Sequence, residues 1–320
     1  MDLSIIVPVY NVERYIRPCL ESILRQGLDE NRYEVIIVND GTKDRSIEMI
    51  GDLIAEHNNI TVINQKNQGL SAARNNGIIK STGDFLLFVD SDDLLVENSI
   101  GDLLEDACQH RPEIIIANFV RMTDEEIING KVIRPNIYTS SPKPEFVSTI
   151  EYLDPTESYV WRSLYSRNFL LRNTIHFIPD IFFEDIPFSV ECYLKAKKCF
   201  ISYHTFYIYR QHSGSIVTSV NLKKVMDINT VIAHLWRLRL MASTEKEYVK
   251  IMDIIFTTHH LQNWFIVHNH ELLTERKKIT KDLKNKVPNL YFQGGLIRRV
   301  ETFMFRHIPN FYLLLRSWIK

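Results

Sequence analysis

The chain has 320 residues, and its 38 Lys and Arg nearly balance its 39 Asp and Glu, for a formal net charge of -1. With 45% hydrophobic and 24% charged residues, it has the composition of a folded globular protein rather than a disordered or collagen-like one. The balanced charge excludes the global basic field of a nucleic-acid-binding protein, so no nucleic-acid partner is expected. The length suits one elaborated α/β domain or a domain with an appendage.

The cysteines and the N-terminus indicate a cytoplasmic protein. Four cysteines follow no Cys-x-x-Cys spacing, which disfavours a zinc site or a disulfide framework and favours a reducing compartment. The first residues, MDLSIIVPVYN, lack a basic region and contain Pro8, so they predict a strand rather than a signal peptide. No apolar run approaches the ~20 residues that a membrane-spanning helix requires.

Short apolar runs alternate with longer helical patterns over the first 120 residues: LSIIVPV, YEVIIV, ITVI, DFLLFV and EIIIANFV. The helix candidates between them lie near Val12–Gln26, Asp44–His57, Leu70–Lys80 and Glu97–His110. This alternation predicts an α/β fold of βαβ units on a mainly parallel sheet covered on both faces. Because ligands of such sheets bind beyond the carboxyl ends of the strands, a site is expected at PVYN, NDGTKD, NQGLSAARN and DSDD.

The loops after the second and third strands carry polar residues suited to a nucleoside and a diphosphate. Asp40, followed by Gly41, is placed to accept a hydrogen bond from a nucleoside; alternatively, NDGTKDRS is a turn in which Asp44 caps the next helix. In NQGLSAARNNG, Gly69 permits a close backbone approach. Arg74 lies one turn into a helix, where its guanidinium suits a diphosphate or a neighbouring carboxylate.

The segment LLFVDSDDLL places Asp90, Asp92 and Asp93 together directly after an apolar run. Two carboxylates about 4 Å apart repel by ~4 kcal/mol at an effective dielectric constant near 20, so the cluster requires a cation or a shifted proton. Mg²⁺ or Mn²⁺ is held by one or two carboxylates with substrate phosphates, which matches Asp90 and Asp92. The counter-charge is therefore expected from a metal and a diphosphate rather than from the chain, with Asp93 capping or solvating the next loop. Alternatively, all three aspartates cap and start the helix at Glu97.

Four segments, IIVPVYN, IIVNDGTKDRS, NQGLSAARNNGI and GDFLLFVDSDD, in this order and spacing resemble the nucleotide-sugar-binding half of family 2 inverting glycosyltransferases. The resemblance implies the GT-A fold, a Rossmann-like, mainly parallel sheet flanked by helices. From about Asn221 onward, apolar and aromatic residues recur at three- and four-residue spacing, which predicts a helical C-terminal extension. The predicted organisation is a glycosyltransferase domain over 1–220 and a helical region over 221–320. Within the first, 1–118 would bind the nucleotide-sugar and 119–220 the acceptor.

The resemblance also implies roles for individual residues. Those expected at the nucleoside or near the diphosphate are Pro8, Tyr10, Asp40 and Arg74. Asp90 is implied to contact the ribose or the metal, and Asp92 to coordinate the metal. Asn39 is a departure, since the family more often has a second Asp at this position.

The acceptor side is expected in YVWRSLYSRNFL and FFEDIPFSVECYLKA, which resemble family segments; the second carries the acidic pair that supplies the catalytic base. The resemblance implies that Asp185 is the base that deprotonates an acceptor hydroxyl, and a carboxylate at a helix N-terminus is stabilised in the ionised form that a base requires. The alternative is helix capping by Asp185 with Glu184 solvated. In YRQHSGSI, Arg210 or His212 is a candidate for the diphosphate or the metal shell, although a lone histidine is more often structural.

The C-terminal segment 294–320 carries five Lys or Arg with one Glu and several aromatic residues. This composition suits the anionic inner leaflet of a membrane, and the alternative is packing on the domain or on a second subunit.

The predicted function is an inverting, metal-dependent glycosyltransferase with Mn²⁺ or Mg²⁺ as cofactor. It would move a sugar from a nucleotide-sugar donor, a UDP-sugar, to a hydroxyl of a saccharide or lipid-linked acceptor in cell-surface polysaccharide synthesis. The absence of a Q-x-x-R-W stretch favours single addition over processive synthesis. One alternative is an inactive nucleotide-sugar-binding module, which Asn39 favours and the presence of Asp92 and Asp185 disfavours. The other is a phosphatase of the haloacid-dehalogenase type, which needs its D-x-D on the first strand rather than after the fourth.

Overall fold

The structure is a computed structural model that describes residues 1–130, 145–147, 158–212, 220–292, 298–300 and 302–303. It divides into two compact units. The first contains Met1–Thr149, Tyr159–Asp180 and Lys195–Ser215, and the second contains Ile150–Ser158, Ile181–Leu194 and Ile216–Lys320. The division into domains at residue 220 stays a prediction.

The first unit is built around one β-sheet. Its strands are β1 (Leu3–Val9), β2 (Tyr33–Asn39), β3 (Ile60–Asn64), β4 (Phe85–Phe88), β5 (Leu94–Leu95), β6 (Ile114–Thr123), β7 (Glu145–Val147), β8 (Ser163–Ser166) and β9 (Cys199–Gln211). Its helices are α1 (Ile16–Leu24), α2 (Gly51–Glu56), α3 (Leu70–Lys80), α4 (Ile100–His110), α5 (Asp124–Ile128) and α6 (Arg167–Arg172).

The strands follow the order β3-β2-β1-β4-β8-β6-β9-β5, with β7 also paired to β9. The first four are mutually parallel, β8 runs antiparallel to β4 and β6, and β9 pairs parallel with β6. This arrangement confirms the predicted α/β fold with a mainly parallel sheet flanked by helices. The carboxyl ends of β1, β2, β3 and β4 therefore lie along one edge of the sheet.

Both faces of the sheet are covered, as the all-apolar strands indicated. Leu3, Ile5, Val7 and Val9 of β1 belong to the same buried cluster as the apolar residues of α1 and α4. On the opposite face α3 packs against β1 through Gly77, where an added Cβ would lie 2.3 Å from Ile6 Cγ2. The close approach of α3 brings its first turn to the edge where the site is expected.

The predicted bounds hold for β1 and α3, whereas α2 begins at Gly51 rather than near Asp44. The reason lies in the loop before it. Asp44 Oδ2 accepts from the Glu13 N–H at 2.9 Å, and Ser46 Oγ accepts from the Val12 N–H at 3.0 Å. These contacts bind the segment to the loop after β1 and delay the helix.

The second unit is helical among its described residues. Its helices are α7 (Asp185–Lys195, whose last residue belongs to the first unit), α8 (Leu222–Leu238), α9 (Glu245–Val267) and α10 (His270–Lys286). The last three pack against one another, and the buried Gln262 Nε2 donates to Asn229 Oδ1 at 2.6 Å between α9 and α8. The predicted helical C-terminal region is thus confirmed.

The predicted basic and aromatic membrane segment, 294–320, lies mostly outside the described residues. Within the described ranges, no helix has the length and apolar character needed to cross a bilayer.

Candidate active site

The loops after β1 and β2 are tied together at the carboxyl edge of the sheet. The Asn11 N–H donates to Thr42 Oγ1 at 2.8 Å, and Asn11 Oδ1 accepts from the Lys43 N–H at 3.1 Å. The bond from the Glu13 N–H to Asp44 completes the connection. Asn11 adopts a positive φ of 53°, a conformation that asparagine tolerates better than most residues. Asp44 therefore fixes two loops of the site, rather than capping α2.

We expect Asp44→Asn to lower the free energy of unfolding at neutral pH, and to do so progressively less in acid. Although partial burial opposes ionisation, hydrogen bonds from Ser46, Thr42 and the Glu13 N–H lower the pKa of Asp44 to about 2. The ionised carboxylate therefore stabilises the fold fully above the ordinary aspartate pKa of about 3.9, and this contribution is lost as the pH falls through about 2. Denaturant unfolding of both proteins across this range measures the difference, and a difference independent of pH would contradict the charge effect.

Pro8 and Tyr10, both predicted at the nucleoside, are placed differently. Pro8 is buried within β1, opposite Val38 of β2. Tyr10 follows the strand directly, and its side chain is exposed at the carboxyl edge of the sheet. A contact of either residue with a nucleoside stays a prediction.

Asp40 is buried and holds the turn that begins α3. Its Oδ1 accepts from Gln65 Nε2 at 2.7 Å and from the Gln68 N–H at 2.8 Å, and its Oδ2 accepts from the Gly69 N–H at 2.8 Å. Gly69 has a φ of 85°, which favours glycine over other residues. The three donors use most of the acceptor capacity of one carboxylate, so Asp40 has a structural role whether or not it also contacts a nucleoside.

Arg74 and Asp90 form a direct ion pair. Only 1% of the Arg74 side chain is exposed, and its Nη2 donates to Asp90 Oδ1 at 2.7 Å. The guanidinium also lies over the Phe177 ring, with its carbon 5.2 Å from the ring centre. The prediction that the counter-charge comes from outside the chain is therefore wrong for Asp90. Spacing along the chain did not reveal it, because α3 meets the loop after β4 only in the folded sheet.

Asp92 faces His212. The Asp92 Oδ2 and His212 Nε2 atoms are 3.0 Å apart, and the His212 ring is buried with its centre 4.5 Å from that of Tyr15. Desolvation and the nearby Asp90 carboxylate raise the pKa of Asp92. A cation at this position would therefore stabilise the ionised carboxylate.

Asp93 is buried and anchors β9, so the prediction that it caps or solvates the next loop is wrong. Its Oδ2 accepts from the Tyr207 hydroxyl at 2.7 Å, and its Oδ1 accepts from the Arg210 N–H at 2.8 Å. The same Tyr207 oxygen accepts from the Asp90 N–H at 3.1 Å. Burial and the carboxylates of Asp92 and Asp90 raise the pKa of Asp93 well above its usual range. Together these contacts fix the backbone of the three-aspartate loop.

The donor atoms at this loop fit a divalent cation that also binds substrate. Among the described residues, no group of three or more His, Cys, Asp or Glu is arranged to hold a metal by itself. The 3.0 Å between Asp92 and His212 matches adjacent ligands at about 2.1 Å from an octahedral ion. Such an ion commonly completes its shell with water and phosphate oxygens. Asp92 and His212 are therefore metal candidates, and Asp90, whose Oδ1 is paired with Arg74, stays a predicted contact of the metal or the ribose.

Asp185 is the first residue of α7 in the second unit, and its side chain is partly exposed. Glu184 is only 7% exposed, so the expectation that it is solvated is wrong. Phe183, directly before this pair, has a φ of 63°, which is unfavourable for a bulky side chain. Such strained residues concentrate at functional sites.

Comparison with known proteins decides the family. Over residues 4–172 the chain matches the family profile described as Glycosyl transferase family 2. The chain belongs to glycosyl transferase family 2. A relative, the uncharacterized glycosyltransferase EpsJ of Bacillus subtilis (strain 168), is 36% identical over 230 residues, which are 70% of this chain and 65% of EpsJ. The chain therefore spans just under two thirds of the length of this relative.

Solved structures support the fold of this family 2 chain. Residues 1–349 of S. aureus TarS in complex with UDP align with a TM-score of 0.68 at 21% identity, over 90% of this chain and 81% of that one. The mannosyltransferase PcManGT from Pyrobaculum calidifontis in complex with GDP-Man and Mn²⁺ aligns with a TM-score of 0.57 at 14% identity, over 99% of this chain and 86% of that one. The predicted GT-A fold is confirmed.

The structure thus brings four of the predicted site residues together within the first unit: Arg74, Asp90, Asp92 and His212. Sequence reasoning missed Tyr15 and Tyr207, which contact the His212 ring and the Asp90 backbone. No motif marks these two tyrosines, because each contacts a partner distant in the chain.

Proposed function

We propose that the chain is an inverting, metal-dependent glycosyltransferase that moves a sugar from a UDP-sugar to a hydroxyl of a saccharide or lipid-linked acceptor. The observation that carries the proposal is the Asp92–His212 contact of 3.0 Å beside the Arg74–Asp90 ion pair. Membership of family 2 supports the transferase class. The UDP bound by TarS and the GDP-Man and Mn²⁺ bound by PcManGT support a nucleotide-sugar donor and a divalent cation.

The first unit would bind the donor. Asp92 and His212 would hold Mn²⁺ or Mg²⁺, which offsets the charge that develops on the departing diphosphate when it is bound. Arg74 holds one oxygen of Asp90, and this fixes the orientation in which the carboxylate would meet the ribose or the ion. The Tyr207 hydroxyl keeps the loop backbone in place.

Asp185 would act as the general base. Its carboxylate takes the proton of the acceptor hydroxyl while the hydroxyl oxygen bonds to the anomeric carbon. The bond from that carbon to the diphosphate oxygen breaks, and the nucleoside diphosphate leaves with the electron pair. A single displacement inverts the anomeric centre. The alternative of an inactive nucleotide-sugar-binding module predicts donor binding without turnover.

The acceptor is proposed to belong to cell-surface polysaccharide synthesis, with one sugar added at a time. We place the protein at the cytoplasmic side, with peripheral membrane contact through 294–320. Donor binding by the first unit does not depend on the identity of the acceptor or on membrane contact.

Thermal unfolding with a panel of nucleotide-sugars and nucleoside diphosphates tests the donor. We expect one donor to raise the melting temperature in Mn²⁺ and much less in EDTA, since a ligand at a hundred times its Kd adds about 2.7 kcal/mol to the stability. Asp92→Asn and His212→Gln should reduce the stabilisation in Mn²⁺ to the level seen in EDTA. If no donor stabilises the wild-type protein under either condition, the proposed function fails.

A further inference from the structure

Arg210 is a buried arginine beside the candidate metal pair. It lies two residues before His212, and only 6% of its surface is exposed. Its backbone N–H donates to Asp93, and its Nη1 donates to Asp124 Oδ1 at 3.0 Å. Its guanidinium carbon is 5.2 Å from the centre of the Tyr15 ring, which also packs against His212. The positive charge is therefore held next to the expected position of the diphosphate.

Two of the three guanidinium nitrogens of Arg210, Nε and Nη2, are buried without a hydrogen-bond partner in the described part of the chain. A buried charged donor without an acceptor is unfavourable, so such atoms require an explanation. Nε and Nη2 form one edge of the planar guanidinium, and their N–H groups match two oxygens of a single phosphate. Arg210 is thus bonded through Nη1, while the two donors of its Nε and Nη2 edge have no acceptor among the described residues.

We propose that the Nε and Nη2 edge of Arg210 binds the diphosphate of the donor, with Asp124 and Tyr15 positioning the guanidinium. The proposal rests on the proposed function, and it separates two residues that the sequence left as alternatives: Arg210 for the diphosphate and His212 for the metal. Asp124 also pairs with Arg14, whose Nη2 is 3.5 Å from Asp124 Oδ2.

The test compares the binding of UDP, uridine and inorganic pyrophosphate by isothermal titration calorimetry, with Mn²⁺ and with EDTA. Arg210→Lys retains the charge but removes the two-donor edge, and Arg210→Gln removes both. Because a hydrogen bond to a charged group contributes enough to change affinity about 10- to 100-fold, we expect the Kd values of UDP and pyrophosphate to rise by this factor. The Kd of uridine should stay unchanged, since the nucleoside carries no phosphate.

Arg14→Gln is the matched control, because Arg14 pairs with the same Asp124 while its side chain is 67% exposed. It should bind UDP and pyrophosphate as the wild type does. Wild-type affinity for both ligands in Arg210→Gln, or an equal loss of uridine and UDP binding, would overturn the proposal. If the wild type binds pyrophosphate but neither UDP nor uridine, and Arg210→Gln loses that binding, the result counts against the proposed donor and supports the Arg210 site. If the wild type binds none of the three, both proposals fail.

Discussion

Asp185→Asn is expected to lower turnover by about 10²- to 10⁴-fold, the range over which a general base contributes to catalysis. The amide has the same shape as the carboxylate, but it does not accept the proton of the acceptor hydroxyl. Donor affinity should stay at the wild-type value, because the base acts on the acceptor. Asp185 is the first residue of α7, where the helix dipole stabilises the ionised form that the base requires.

Steady-state transfer rates and calorimetric donor affinities, measured on the same preparations, test whether Asp185→Asn lowers turnover without changing donor affinity. Asp102→Asn is the matched control, since Asp102 is an exposed aspartate in the first turn of α4. It loses a similar helix-dipole interaction and should transfer sugar as the wild type does. Transfer at the wild-type rate in Asp185→Asn would remove Asp185 as the base. An equal loss in both variants would assign the effect to helix stability.

Arg74→Met is expected to lower the free energy of unfolding by about 3 kcal/mol, because it removes the buried cation that pairs with the Asp90 carboxylate. Methionine keeps much of the apolar stem but removes the donor to Asp90 Oδ1 and the cation over Phe177. Asp90 then lies beside two further aspartates, Asp92 and Asp93, without its cation. Asp90 is itself partly exposed, which is why the expected value is at the lower end for broken buried pairs.

A second substitution separates the charge effect from lost packing. Arg74→Met with Asp90→Asn removes both members of the pair, so the double variant should be more stable than Arg74→Met alone. The control is Arg17→Met, which breaks the exposed pair with Asp52 and should cost much less. Denaturant unfolding measures all four proteins. Equal losses in Arg74→Met and Arg17→Met would show that burial of Arg74 adds nothing to the pair.

Sequence patterns predicted the bounds of those strands and helices that are determined by neighbouring residues in the chain. β1 is an unbroken apolar run between polar residues, and α3 begins after a glycine at positive φ, so their observed bounds match the expected ones. In the segment after β2, the observed helix begins later than the local pattern predicted. Its Asp44 carries an ordinary helix-capping signal, yet it bonds to Glu13, because the loops after two adjacent parallel strands meet at the same edge of the sheet. A capping signal does not specify which backbone N–H the side chain will find.

The sequence by itself determined the α/β class, the edge of the sheet where a site is expected, and the residue types suited to a diphosphate and a cation. The tertiary structure alone decided how the three aspartates differ. Asp90 pairs with Arg74, Asp92 faces His212, and Asp93 anchors Tyr207 and the Arg210 backbone. These partners come from α3, from β9 and from the residue after β9. The physical reason is that hydrogen bonds and contact ion pairs form only between atoms about 3 Å apart, so pairing follows distance in the fold and not distance along the chain.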